Sequence, residues 1–242
     1  MRILVSNDDG VFSPGILALA KVASEFGQVR VVAPDVEQSA MSHAITVRRP
    51  LHYTKTPING IEAYRVDGTP ADCVALGTHH WDEVDLVLTG INLGHNLGHN
   101  VWHSGTVAAA KQAAFLRIPA VAFSARYNDE PTDYRIQFPY IREIIGIMQQ
   151  TAAPLLLNVN FPDEPTGIRW TRQSVRHYEG YVVPGEDPMG RTHYWFSEEP
   201  RDRIEKGTDR WAVENGFVSV TPLRLDLTDE AQLERIEARS PA

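Results

Sequence analysis

Asn7-Asp8-Asp9-Gly10 sets two carboxylates side by side directly after a short apolar run, Arg2 to Ser6. Adjacent acids at a strand end repel one another unless hydrogen bonds or a cation compensate, so the pair points to a divalent metal. A turn with a helix cap is the competing reading, because Asp and Gly are common turn residues. Two other stretches bring oxygen donors: Pro34-Asp35-Val36-Glu37-Gln38-Ser39 and Thr89-Gly90-Ile91-Asn92. Two carboxylates (Asp8, Asp9) with a hydroxyl (Ser39) and an amide carbonyl (Asn92) form an all-oxygen set. Such a set suits a hard cation, Mg²⁺ or Mn²⁺, rather than Zn²⁺.

The run from Gly90 to Asn100 is rich in Gly and Asn, and its backbone N–H groups and amides can approach an oxyanion closely. Ser104-Gly105-Thr106 then opens an apolar helix, which offers free N–H groups and a favourable dipole to a phosphate. Ser104 acting only as a helix cap is the plainer alternative. Beside a metal, the arrangement reads as a phosphoester site. His95, His99 and His103 recur every fourth residue, but the interleaved Gly and Asn argue against a continuous helix and so against a shared zinc-binding face. His103 adjoins Ser104 and is a possible proton donor. Cys73, the only cysteine, lies in an apolar helical stretch and reads as a packed thiol.

These residues need a frame that gathers distant loops. Arg2 to Ser6 reads as a buried strand, Pro14 to Phe26 as a helix capped by Ser13, and Val29 to Ala33 as a second strand. That is a βαβ start, which implies parallel pairing and a right-handed crossover. Ile45 to Val66, broken by Pro50, Pro57 and Asn59-Gly60, reads as an excursion of short antiparallel strands. The rhythm resumes with a helix from Pro70 to about His80, a strand Asp85 to Leu88, a helix Gly105 to Leu116, a strand Val121 to Ser124, a helix Asp133 to Gln150 and a strand Leu155 to Asn160. Strands that point the same way release their loops on one edge of the sheet, where ligands bind in open α/β folds. After Pro162 come short β-like pieces at Ile168 to Thr171, Val175 to Val183 and Thr192 to Phe196, rich in aromatics. A lone hairpin of this kind is marginal in water, so it must pack on the body or on another subunit. A last strand from Phe217 to Thr221 and a polar helix from Thr228 to Arg239 finish the pattern. The fold class expected is α/β: a doubly wound, mostly parallel, Rossmann-like sheet in three αβα layers, with a β-hairpin arm and a C-terminal helix. Residues 1–161 form the catalytic core, and residues 162–242 supply the arm, a final core strand and the helix, within one domain.

Composition narrows the partners. The 242 residues carry 31 acidic and 23 basic side chains, a formal charge of −8, which opposes binding of a nucleic acid polymer through a basic face. A small anion can be held only where a metal or a helix N-terminus locally reverses that field. No apolar stretch approaches the roughly 18 residues that cross a bilayer. The N-terminus does not read as a signal peptide, so a cytoplasmic protein is expected.

MRILVSNDDGVFSPGI, VVAPDVEQSA, GTPADCV, DLVLTGINLGHNLGHNVWHSGTVAAAK and GFVSVTPL occur in this order across nearly the whole chain, and they closely resemble the SurE-type survival proteins. The resemblance implies a metal-dependent nucleotidase: a 5'-nucleotidase, often with 3'-nucleotidase and short-polyphosphate activity, using one Mg²⁺ or Mn²⁺ per subunit. It implies metal ligands at Asp8, Asp9, Ser39 and Asn92, with Asp8 and Asp9 as the catalytic pair, and a phosphate-holding set of Asn96, Ser104, Gly105 and Thr106. It also implies a homodimer or homotetramer built by exchange of the late hairpin and C-terminal segments. Position 103 departs from the family, which more usually has Tyr where this chain has His. Two rival functions fit the residues less well, the first because its register is wrong. A phosphatase with a covalent aspartyl-phosphate needs its nucleophilic carboxylate two positions before the second Asp, where this chain has Asn7. A nucleotide-sensing module without turnover shares the same fold class.

Overall fold

The structure, a computed structural model, describes residues 1–127, 133–150, 156–175, 178–200 and 204–239. β1 (Arg2–Ser6) is buried after its first residue, as suits the middle of a sheet covered on both faces. Ser13 caps α1 (Pro14–Ala23) by accepting from the Ile16 N–H, and Pro14 occupies the first turn, where its missing N–H costs nothing. β2 (Gln28–Pro34) pairs parallel with β1. β3 (Tyr53–Lys55) and β4 (Glu62–Val66) follow, then α2 (Pro70–His79), started by a reciprocal capping box between Thr69 and Asp72. β5 (Leu86–Leu93) leads through a 3-10 turn at Gly98–Trp102 into α3 (Gly105–Phe115) and β6 (Ala120–Ala125). A second 3-10 turn at Tyr134–Ile136, α4 (Phe138–Gln150) and β7 (Leu156–Phe161) complete the regular part. β8 (Ile168–Trp170), β9 (Tyr178–Glu186), β10 (Thr192–Pro200), α5 (Asp209–Glu214), β11 (Val218–Leu223) and α6 (Glu230–Glu237) make up the rest.

Among the described residues nine strands form one sheet in the order β3-β4-β2-β1-β5-β6-β7-β11-β8. The run from β4 to β7 is parallel throughout, with antiparallel additions at β3 and β11. One face is covered by α1 and α4, through Ile16, Leu19, Ile141 and Ile144. The other is covered by α2 and α3, through Cys73, Val74, Val107 and Ala110. The expected three-layer α/β fold is therefore the one observed. β2 and β5 flank β1 on opposite sides, so the strand order reverses there and a crevice opens at the carboxyl ends.

Several expectations need correction. The helix predicted over Asp133 to Gln150 is two pieces, because Pro139 lacks an N–H and its ring clashes with the preceding turn, so α4 can begin only just before it. The excursion at Ile45 to Val66 does hold a short antiparallel pair, β3 with β4, but it is not set apart from the sheet: β4 also joins parallel to β2, with Ala63 and Val66 buried in the core. The strand predicted to stop at Leu88 continues to Leu93 through a register shift between Thr89 and Asn92. Gly90 allows this, with φ of +118° at a place where a Cβ would collide with the Phe123 carbonyl. α5 was not anticipated at all. The predicted strand start at Leu155 and residues 176–177 of another predicted strand lie outside the described residues. Among the described residues β9 and β10 pair only with each other, as a two-stranded sheet separate from the main one. Among the described residues no helix is long and apolar enough to cross a membrane.

Candidate active site

The turn after β1 is held from within. Asn7 is fully buried and donates Nδ2 to the Gly10 carbonyl (3.0 Å) and to Ser13 Oγ (2.7 Å), so its side chain braces the turn. Gly10 takes a positive φ of +97°, and the Val11 N–H donates to the Pro34 carbonyl, joining this turn to the end of β2. Gln38 N–H donates to the Asp8 carbonyl at 2.8 Å, which carries the 35–39 loop to the same place.

Asp8 is 4 % exposed and faces the start of α3. The Thr106 hydroxyl donates to Asp8 Oδ1, and the Thr106 backbone N–H also supports the carboxylate. A Cβ on Gly105 would lie 2.8 Å from Asp8 Cβ and 2.9 Å from Oδ2, so only glycine permits this approach of helix to acid. Thr89 Oγ1 donates to the Thr106 carbonyl at 2.8 Å and ties the helix start to β5.

Burial pushes the Asp8 carboxyl above its ordinary range, against the Thr106 bonds that lower it. Burial and then the adjacent Asp8 charge push Asp9 up to about 7, although the Leu93 N–H lowers it. Asp9 Oδ2 is buried and has no hydrogen-bond partner among the described residues. Two desolvated acids side by side, one with an orphaned oxygen, are what a cation would stabilise. No group of three or more His, Cys, Asp or Glu is placed to hold a metal among the described residues. The donors available are therefore two carboxylates supplemented by hydroxyl and amide oxygens.

A cleft of about 710 Å³ is lined by Asp8, Ser39, Asn92, Asn96, Ser104 and Phe196, among others. A second cavity of about 480 Å³ contains Asp9 and shares Ser39 and Leu93 with the first. The Ser39 hydroxyl donates to Glu37 Oε1 at 2.6 Å, and Asn92 uses Nδ2 on the Gly94 carbonyl at 2.7 Å, so Oδ1 is the amide atom outside that bond. Ser104 caps α3 by accepting from the Val107 N–H (3.0 Å). Gly105 and Thr106 are buried behind it against Asp8 and do not line the cleft.

The loop holding Asn96 is pinned by residues that the sequence reading missed. Asn96 N–H donates to Asn160 Oδ1 (2.8 Å), its Nδ2 donates to Ser124 Oγ (2.8 Å), and Asn158 Nδ2 donates to its carbonyl (2.8 Å). The available signal was the alternation of two Asn within the apolar strand Leu156 to Phe161, which puts both amides on one face. Further along, Asp209 at the start of α5 is fully buried and accepts from the Gly98 N–H (2.8 Å) and the Ser174 N–H (2.9 Å). Gln173 Nε2 donates to the Gly98 carbonyl at 2.6 Å, so Gly98 is clamped on both sides. A Thr208 cap ahead of Asp209 and a Gly at 216 were the local signs of α5.

The three histidines separate. His95 Nε2 donates to the Phe161 carbonyl at 2.8 Å, and burial lowers its pKa, so the ring is a neutral brace. His103 is exposed on the cleft wall, whereas His99 is exposed and absent from that wall. Cys73 is buried, and burial raises its thiol well above the ordinary value.

The family model described as Survival protein SurE matches residues 3–180. A protein of Thermus thermophilus named 5'-nucleotidase SurE 1 is 51 % identical over 98 % of this chain and 96 % of its own length. A Deinococcus radiodurans protein named 5'-nucleotidase SurE is 48 % identical, over 94 % of this chain and 88 % of its own. The crystal structure of a SurE protein from Aquifex aeolicus superposes with a TM-score of 0.84 at 40 % identity, covering 99 % of each chain. Sequence, fold and the order of elements around the carboxylate pair agree, and the chain belongs to the SurE survival-protein family.

Proposed function

We propose that the protein is a divalent-metal-dependent phosphatase that hydrolyses nucleoside 5'-monophosphates to nucleoside and phosphate, with 3'-monophosphates and short polyphosphate as further substrates. The observation that carries this reading is the desolvated Asp8–Asp9 pair, with the orphaned Asp9 Oδ2, set against the N-terminus of α3. The names of the relatives, 5'-nucleotidase SurE, support the substrate class. Asp8, Asp9, Ser39 and Asn92 would hold one Mg²⁺ or Mn²⁺ per subunit, since oxygen donors suit a hard cation. When bound, the ion supplies positive charge to phosphoryl oxygens and makes a water more acidic.

The chain's own groups do the rest. Asn96 and Ser104 sit on the cleft wall and hold phosphoryl oxygens, while the first turn formed by Gly105 and Thr106 favours the anion through its dipole. Thr106 also fixes Asp8 in place. The Asp8 carboxyl, raised by burial, is suited to take a proton from the attacking water. Asn7 is committed to the turn and is no nucleophile, which supports hydrolysis by water over an aspartyl-phosphate route.

Self-association through the arm belongs to the same reading. Tyr194, Trp195 and Phe196 are 66–90 % exposed, and α6 has no buried residue, which supports a homodimer or homotetramer joined through these segments. Residence in the cytoplasm is part of it too, supported by a single cysteine kept as a buried thiol.

Phosphate release from AMP with added Mn²⁺ tests the proposal. Excess chelator abolishes release, and Asp8→Asn lowers turnover at least about 100-fold with the fold intact by circular dichroism. Unchanged turnover in Asp8→Asn rejects the site.

A further inference from the structure

The cleft has one wall that does not come from the sheet edge. Phe196 of β10 lines it together with Asp8, Asn92, Asn96 and Ser104, although 90 % of the side chain is exposed. The other lining groups near the carboxylates are amides, hydroxyls and imidazoles, with Ala40 and Leu93 as small or flexible apolar members. Phe196 is thus the one apolar ring among the described residues that line the cleft. It has no ring contact among the described residues, and its cross-strand partner Val182 is itself half exposed. A flat apolar surface left open over a polar, anion-favouring pocket matches a ligand that is charged at one end and flat at the other. Nucleoside monophosphates have that shape, and a cleft of about 710 Å³ falls in the range that encloses small ligands.

We propose that Phe196 is a specificity residue that stacks on the nucleobase while the phosphate sits at the α3 end of the cleft. This rests on the phosphatase reading above. Stacking uses the π face that every base has, so the arm selects nucleotides over simple phosphate esters and discriminates little among bases. The arm then does two jobs: Phe196 and Trp195 alternate along β10, so they project to opposite faces of the hairpin. One face addresses the cleft, and the other is open to a neighbouring subunit.

The test compares AMP with ribose 5-phosphate, which keeps the sugar phosphate and lacks the base, both with added Mn²⁺. In Phe196→Ala the ratio of kcat/KM for AMP to that for ribose 5-phosphate falls about tenfold, chiefly through KM for AMP, and Phe196→Trp restores it. Phe196→Trp also adds a tryptophan whose fluorescence, relative to the parent protein, is quenched by AMP and not by ribose 5-phosphate. An unchanged ratio, or an equal loss with both substrates, overturns the assignment and makes Phe196 an oligomer or arm-folding residue. If the parent protein releases phosphate from neither compound, the phosphatase reading falls, and the fluorescence quench decides the role of Phe196 separately.

Discussion

The carboxyl edge of the parallel strands and the β9–β10 arm dispose of their side chains in opposite ways. At the edge, polar groups are buried and cross-tied: Asn7, Thr89, Thr106, Asn158, Asn160 and Asp209 are all essentially inaccessible. In the arm, apolar groups are exposed: Val182, Tyr194, Trp195 and Phe196 each show half or more of their surface. Buried polar groups are costly unless bonded, so a dense set of them fixes geometry, which suits a small, charged ligand. Exposed apolar groups are costly unless covered, which suits contact with another surface. The difference teaches where each region finds its partner: inside the fold for the edge, outside it for the arm.

The largest effect expected outside the carboxylate pair tests how far the rigid edge depends on remote clamps. In Asp209→Asn the amide –NH₂ faces either the Gly98 or the Ser174 N–H, donor against donor, and the Asn96 to Ser104 loop loses its anchor. Turnover of AMP should fall about 10- to 100-fold with circular dichroism unchanged. Wild-type turnover would show that the clamp does not set the geometry of the cleft.

A smaller effect is expected from the outward face of the arm. Trp195 and Val183 are cross-strand partners and share a face, so the Trp195→Glu, Val183→Glu pair puts two like charges where a neighbour would dock. Sedimentation should show a lower mass than wild type, with AMP turnover reduced by less than about tenfold. An unchanged mass would move the interface elsewhere and weaken the contrast between the two regions.

The smallest effect concerns pH. His95 is neutral and its pKa lies below the ordinary value in the folded chain, so the unfolded chain binds more protons once the pH drops past about 6.5. Its contribution to stability is present above that pH and is lost as the pH falls through it toward the folded value. Between pH 7 and pH 5 the melting temperature of wild type should therefore drop about 2–4 °C more than that of His95→Gln. Equal slopes would show that burial does not hold the ring neutral against the Phe161 carbonyl, which favours its charged form.

Local chemistry made much of the edge legible. The Asp8–Asp9 pair, the Ser104 cap and the run of βα units are short-range patterns, and their boundaries in the structure differ from the expected ones by a few residues where no proline intervenes. Pro139 was in plain view, yet the strong apolar periodicity around it masked the break. Asn160, Ser124 and Asp209 were not legible, because each acts on a loop 28 to 111 residues away. The joining of β4 to β2 was equally hidden, since parallel pairing leaves no mark in either strand alone.

The sequence by itself determined the periodicities, the caps and the kinds of donor atom, because these depend on neighbours within a few residues along the chain. Only the tertiary structure decided that Thr106 turns inward onto Asp8 instead of lining the cleft, that Asp9 keeps an oxygen without a donor among the described residues, and that Phe196 reaches the cleft from the arm. Those outcomes come from packing distant segments at van der Waals distance, where the absence of a Cβ at Gly105 or one shared hydrogen bond selects among arrangements that local chemistry leaves equal.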